Sequence, residues 1–334
     1  MTEQTVIARK DGRIGRIRMN RPKALNALDI DMIRAIAVAL EQWRDDPHVH
    51  GVVIEGEGER AFCAGGDIRA IRQASIEDRR VDVEAFFAEE YALNGMIAAY
   101  PKPYIALVDG ICMGGGIGVS VHGAYRVASE HAMFAMPETA IGFFPDIGAS
   151  YFLPRLPGSM GLYLGLTGSR VLGAEAVQVG LATHYTPRAQ IAALSAALAA
   201  VGPTALARFA EPPQAGTLAG QHDAIERCFA AASVPEIVRN LEAEGGDWAQ
   251  ATLTILRAVS PSALFWSLQL IRAGADRTLA QCLAAELKLT RNVSRHPDFL
   301  EGVRAMVVDK DRQPKWQPAR IEDVDTAVIA EILA

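Results

Sequence analysis

The 334-residue sequence shows no apolar run approaching the roughly 20 residues that cross a bilayer, so no membrane partner is expected. Its N-terminus, Met-Thr-Glu-Gln, lacks the basic-then-apolar pattern of a secretory leader, and a cytoplasmic location is expected. Cysteine is scarce: Cys63, Cys112, Cys228 and Cys282 are scattered without the spacing of a metal site or a disulfide framework, and read as reduced, buried small residues. The seven histidines contain no H-x-x-x-H pair, so no metal is expected. A net charge of −6 speaks against nucleic acid as a partner. Three motifs are also absent: the G-x-G-x-x-G dinucleotide fingerprint, the Walker loop, and the G-x-S-x-G elbow of serine hydrolases.

What remains is an ordinary globular composition, 50% hydrophobic and 22% charged, in a chain long enough to bury a large core. The most informative stretch is 104–158. Tyr104 to Val108 is a short apolar run with β-branched members between Pro103 and Asp109-Gly110, as in a buried strand. Gly114, Gly115 and Gly116 follow, then the first turns of a helix from Ile117. Consecutive glycines let backbone N–H groups approach another molecule, and helix-opening amides favour an oxygen carrying negative charge. Glu138, after Met136-Pro137, and Asp146, after Phe143-Phe144-Pro145, are two carboxylates in apolar, proline-punctuated loops. Such groups can serve as acid, base or nucleophile, although a lone carboxylate is more often a cap or a surface charge.

Val6 to Arg9 and Ile14 to Met19 flank Asp11-Gly12, the signature of a hairpin. Asp29 reads as the N-cap of a helix with an apolar face through Ile33, Ile36, Leu40 and Trp43. A strand over Val49–Ile54 leads to a second glycine loop at Gly65-Gly66, with Asp67 expected to cap the short helix after it. Residues 69–82 read as a solvated or mobile segment, and a helix is expected from Glu84 to Tyr100. The order strand, helix, strand, glycine loop thus occurs twice, around Val52–Gly66 and Tyr104–Gly116, which suggests α/β architecture. After Gly158 helical patterns dominate, with Pro203 to Thr217 as linker candidate. A mixed core over 1–200 and a helical region over 201–334 are expected.

Taken together, Asn20-Arg-Pro-Lys-Ala-Leu-Asn-Ala-Leu28, Ala61-Phe-Cys-Ala-Gly-Gly-Asp-Ile68 and Gly110-Ile-Cys-Met-Gly-Gly-Gly116 resemble the enoyl-CoA hydratase/isomerase (crotonase) superfamily. Phe134–Gly142, Phe144–Gly148, Tyr151–Leu156, Phe299–Ala305 and Asp309–Trp316 are similar to its 3-hydroxyisobutyryl-CoA hydrolase branch. The resemblance spans about residues 5–320. It implies a crotonase-like spiral of ββα units with a helical C-terminal region. It also implies an acyl-CoA substrate, with coenzyme A as part of the substrate and no separate cofactor. A homo-oligomer is compatible with it.

The resemblance further implies roles. The N–H groups of Gly66 and Gly115 would form an oxyanion hole, Glu138 would be the main catalytic carboxylate, and Asp146 its partner. Glu90 matches a substrate-contacting acid, against the plain reading of a solvated helix face. Lys23 and Arg21 are candidates for the coenzyme A phosphates by charge and motif position. Hydratases of this fold carry a second glutamate two residues after the third glycine; here that residue is Gly118. The expected activity is therefore thioester hydrolysis, with 3-hydroxyisobutyryl-CoA of valine breakdown as substrate. The rivals are an enoyl-CoA isomerase or hydratase, and a catalytically inactive CoA-binding protein.

Overall fold

A computed structural model describes residues 4–213, 216 and 218–333. They form two compact units, each assembled from several stretches. The first comprises 1–66, 89–134 and 170–219; the second comprises 67–88, 135–169 and 220–334.

The described residues hold ten strands: β1 (Val6–Asp11), β2 (Ile14–Met19), β3 (Gly51–Gly56), β4 (Ala61–Cys63), β5 (Tyr104–Val108), β6 (Ile111–Met113), β7 (Tyr125–Ala128), β8 (Met133–Ala135), β9 (Val171–Leu172) and β10 (His184–Tyr185). A six-stranded sheet has the order β1-β2-β3-β5-β7-β10, and a four-stranded sheet has the order β4-β6-β8-β9. The expected hairpin is there: β1 pairs antiparallel with β2 from Val6↔Met19 to Asp11↔Ile14. From β2 onward the larger sheet is parallel. All five residues of β5 are buried, which suits a parallel strand covered on both faces. Successive strands alternate between the sheets: β3, β5 and β7 join the larger, β4, β6 and β8 the smaller. Short helices follow β4 and β6, at Ile68–Ile76 and Gly115–Val121. This alternation is the crotonase-type succession of ββα units.

The helix Arg188–Val201 and the 3-10 turn Gly202–Arg208 meet the length and apolarity of a membrane span, contrary to the reading from sequence alone. The alanines between its leucines carry that apolarity. Its Leu194, Leu198, Ala205 and Leu206 pack with Ile14, Val53, Ile105 and Val127 in the core of the first unit. The stretch 203–217 therefore begins as helical structure rather than linker; residues 214, 215 and 217 lie outside the described residues.

In the second unit, Pro261–Ala273 is the most buried long helix, with Trp266 fully enclosed. Ser260 caps it, and Pro261 occupies the first turn, where its missing N–H costs nothing. Helices Val234–Glu244, Gly246–Ala258, Leu279–Val293 and Pro297–Val303 complete the set that matters for the site. The segment 69–82 is largely exposed, in keeping with the solvated reading, and it is helical over Ile68–Ile76 and again from Arg80. Its charges pair locally, Arg79 with Glu77 and Asp82, and Arg80 with Asp78.

Candidate active site

The first unit gathers Gly66, Gly115 and Glu90. Gly115 opens the helix Gly115–Val121 behind Gly114, whose φ is +46°. A Cβ placed on Gly115 would collide with Oε1 of Glu90 and lie 3.2 Å from the Gly66 nitrogen. A side chain at this position would force the Glu90 carboxyl to shift and would crowd the Gly66 amide. The first amides of a helix have no acceptor within it, so they are available to an outside oxygen. Tyr104 Oη donates to Val119 O at 3.0 Å and ties this helix to β5.

The Gly65-Gly66 loop is held by the segment before the first long helix. Leu28 N donates to Gly65 O at 2.8 Å, and Ala64 N donates to Leu25 O at 3.0 Å. Buried Asn26, at φ +56°, donates to Glu57 O and Ala61 O and accepts from Arg21 N. An asparagine is among the few non-glycine residues that accept this conformation readily. The motif from Asn20 to Leu28 thus acts as a brace for the second glycine loop. Asp29 caps Ile30–Trp43 through Met32 N at 2.8 Å, as its position in the sequence suggests.

Arg21 and Lys23 part company. The Arg21 guanidinium donates to Ala27 O at 2.6 Å and pairs with Asp29 at 3.3 Å, so it fastens the turn in which it sits. Lys23 is exposed in the short 3-10 turn Pro22–Ala24. Cys63 and Cys112 are buried beside the glycine loops; burial pushes the Cys63 thiol up to about 12 and raises Cys112 as well, which leaves both as inert thiols. Asp67 caps Ile68–Ile76 through Ala70 N.

The second unit carries both carboxylates on turns packed into an apolar, aromatic region. Glu138 opens the 3-10 helix Glu138–Ile141 and is 7% exposed; Asp146 is 6% exposed. Phe143 stacks on Phe144 with centroids 4.5 Å apart, and Phe87 and Phe299 flank it at 5.5 and 5.4 Å. Gly142, at φ +66°, closes the Glu138 turn, and any Cβ there would strike the Asp298 carbonyl. Phe143 N donates to Glu138 O at 3.0 Å. Thr139 reaches Leu166 O, and its own carbonyl accepts Ser260 N, so the turn is pinned at both ends.

Two further buried carboxylates brace this region, and sequence reasoning passed over both. Asp298 accepts from Ser260 Oγ at 2.5 Å and from Gln317 N at 2.8 Å; burial raises its carboxyl, while burial lowers the neighbouring His296. Glu286, fully buried, faces the turn that follows Asp146. Among the described residues no group of three His, Cys, Asp or Glu side chains could hold a metal ion.

The family model for enoyl-CoA hydratase/isomerase matches residues 14–333. The chain is 42% identical to the mitochondrial 3-hydroxyisobutyryl-CoA hydrolase of Homo sapiens, covering 96% of this chain and 86% of that protein. For the mitochondrial 3-hydroxyisobutyryl-CoA hydrolase of Xenopus tropicalis the identity is 43%, with 97% and 88% covered. For a probable 3-hydroxyisobutyryl-CoA hydrolase of Arabidopsis thaliana it is 40%, with 98% and 91% covered. Among solved structures, a carnitinyl-CoA dehydratase from Mycobacterium thermoresistibile superposes with TM-score 0.95 at 37% identity, over 99% of this chain and 97% of that one. An enoyl-CoA hydratase from Rhodobacter sphaeroides does so with TM-score 0.92 at 39% identity, over the same shares.

The cytoplasmic location expected from sequence is corrected by these relatives, since the animal proteins are named as mitochondrial. The expectation leaned on scattered, reduced thiols, which suit any reducing compartment. With the family match running almost end to end, and relatives 40% or more identical over nearly all of the chain, this protein belongs to the enoyl-CoA hydratase/isomerase family.

Proposed function

We propose that the protein hydrolyses an acyl-CoA thioester, with 3-hydroxyisobutyryl-CoA giving 3-hydroxyisobutyrate and CoA. The observation that carries this reading is the full-length similarity to proteins named for that activity, at 40–43% identity. In this reading the N–H groups of Gly66 and Gly115 receive the thioester oxygen as negative charge develops on it. Their adjacency in the first unit, and the room that Gly115 leaves beside Glu90, support such a role. One lost donor of this kind typically costs ~2.7–4 kcal/mol of barrier.

Glu138 is the principal carboxylate. Two routes satisfy the chemistry. Glu138 attacks the carbonyl and expels the CoA thiolate, and water then opens the acyl-enzyme anhydride; or Glu138 takes a proton from water that attacks directly. In the first route the carbon–sulfur bond breaks as the anhydride forms, and the thiolate takes up the proton released when water opens that anhydride; in the second, Glu138 passes the proton from water to the sulfur as the carbon–sulfur bond breaks. Asp146 positions the water or the substrate 3-hydroxyl. Glu90 contacts the acyl portion, Lys23 meets the CoA phosphates, and no cofactor beyond the substrate takes part.

A second reading, hydration of an enoyl-CoA, is favoured by the similarity to the two solved structures described above, a carnitinyl-CoA dehydratase and an enoyl-CoA hydratase. Position 118 distinguishes them: Gly118 supplies no carboxylate to help hold and split water across a double bond. Thiol release from 3-hydroxyisobutyryl-CoA, measured beside hydration of crotonyl-CoA, tests the two readings against each other.

A further inference from the structure

Glu286 lies on the helix Leu279–Val293, far along the chain from the loop it touches. Its Oε2 accepts Gly148 N at 2.6 Å; its Oε1 accepts Ser150 N at 2.9 Å and Ser150 Oγ at 2.5 Å. All three donors lie within four residues of Asp146. The backbone they hold is costly. Ile147 has φ +56° and Gly148 φ +81°, so two successive left-handed residues follow the Asp146 carboxylate. A β-branched residue rarely adopts that conformation, and it persists only when the surroundings impose it. Ile147 and Glu286 are both wholly buried, and Ala149 N returns to Asp146 O at 2.9 Å. A fully desolvated carboxylate fastened to two backbone amides is an expensive element to place under a loop unless the loop must be held.

We infer that Glu286 is a positioning residue: it clamps the strained Ile147–Ser150 turn and so fixes the carboxylate of Asp146. The inference deepens the hydrolase reading and rests on it for the consequence in rate. Burial pushes the Glu286 carboxyl up to about 8, the Asp146 charge adds to the rise, and the bonds from Ser150 and Gly148 oppose it. The clamp survives protonation, because a carboxylic acid can donate to Ser150 Oγ while both oxygens still accept backbone N–H groups. An amide cannot: whichever way Glu286→Gln is turned, its NH2 opposes one of the two backbone donors.

Glu286→Gln tests the clamp by three readouts. Thioester hydrolysis is expected to lose about a hundredfold in kcat, the scale of a 1 Å misplacement, with KM little changed. In an Asp146→Asn background the same substitution should cost at most a fewfold more, since its effect runs through Asp146. Amide exchange at Gly148 and Ser150 should accelerate in Glu286→Gln whatever the substrate. Unchanged exchange at both amides overturns the clamp. Equal losses of kcat in the two backgrounds overturn the link to Asp146 and leave only a general loss of packing. If the wild-type protein releases no thiol while Glu286→Gln does accelerate exchange, the hydrolase reading fails and the clamp stands.

Discussion

Gly115 and Glu90 lie so close that a methyl group on Gly115 would run into the Glu90 carboxyl, which would have to shift, and would crowd the Gly66 nitrogen at 3.2 Å. Glu90 is 2% exposed, so it has little room to retreat.

Gly115→Ala is therefore expected to displace one of the two glycine amides or the Glu90 carboxyl. With an oxyanion donor misplaced, kcat for thioester hydrolysis should fall by about 10²–10³. Steady-state kinetics on a variant with a cooperative melt read this directly. Wild-type kcat in Gly115→Ala would remove this region from the chemistry.

The carboxylate pair makes a second prediction. Glu138→Gln and Asp146→Asn should each lower kcat by about 10²–10⁴, the usual contribution of acid–base groups. The double variant should lose little beyond the worse single one, because groups acting as a unit are strongly non-additive. Near-normal hydrolysis by Asp146→Asn at an unchanged melting temperature would make Asp146 structural.

These carboxylates and both glycine loops could be read from the sequence because local signals surround them. Gly114–Gly116 follow a buried strand, and Glu138 and Asp146 sit among proline and phenylalanine. The Tyr104–Val108 strand matches its pattern to the residue. What could not be read depends on contacts distant in sequence. The short strands β4, β6, β9 and β10 hold two or three residues each, too few for any period to show. Glu286 is preceded by alanines and followed by Leu287-Lys288 on an amphipathic helix, where a glutamate reads as surface charge. Its partners lie 136 and 138 residues upstream. The ties of Arg21 to Ala27 and Asp29 could not be read either, since they exist only once the turn is formed.

That difference separates Arg21 from Lys23. Lys23→Ala should raise KM for the CoA ester with kcat unchanged, the mark of binding shared by ground and transition states. Arg21→Ala should instead lower stability by about 1 kcal/mol, through the lost ties to Ala27 O and Asp29. Denaturant titration and steady-state kinetics on both variants check this. A raised KM with full stability in Arg21→Ala would return that residue to the phosphate-binding role.

The reading as a thioester hydrolase stands or falls on one comparison. Purified protein is given 3-hydroxyisobutyryl-CoA with a thiol reagent, and, separately, crotonyl-CoA while the enoyl absorbance is followed. Thiol release from the first, much faster than hydration of the second, is the predicted result. Efficient hydration of crotonyl-CoA with negligible thiol release would contradict the account.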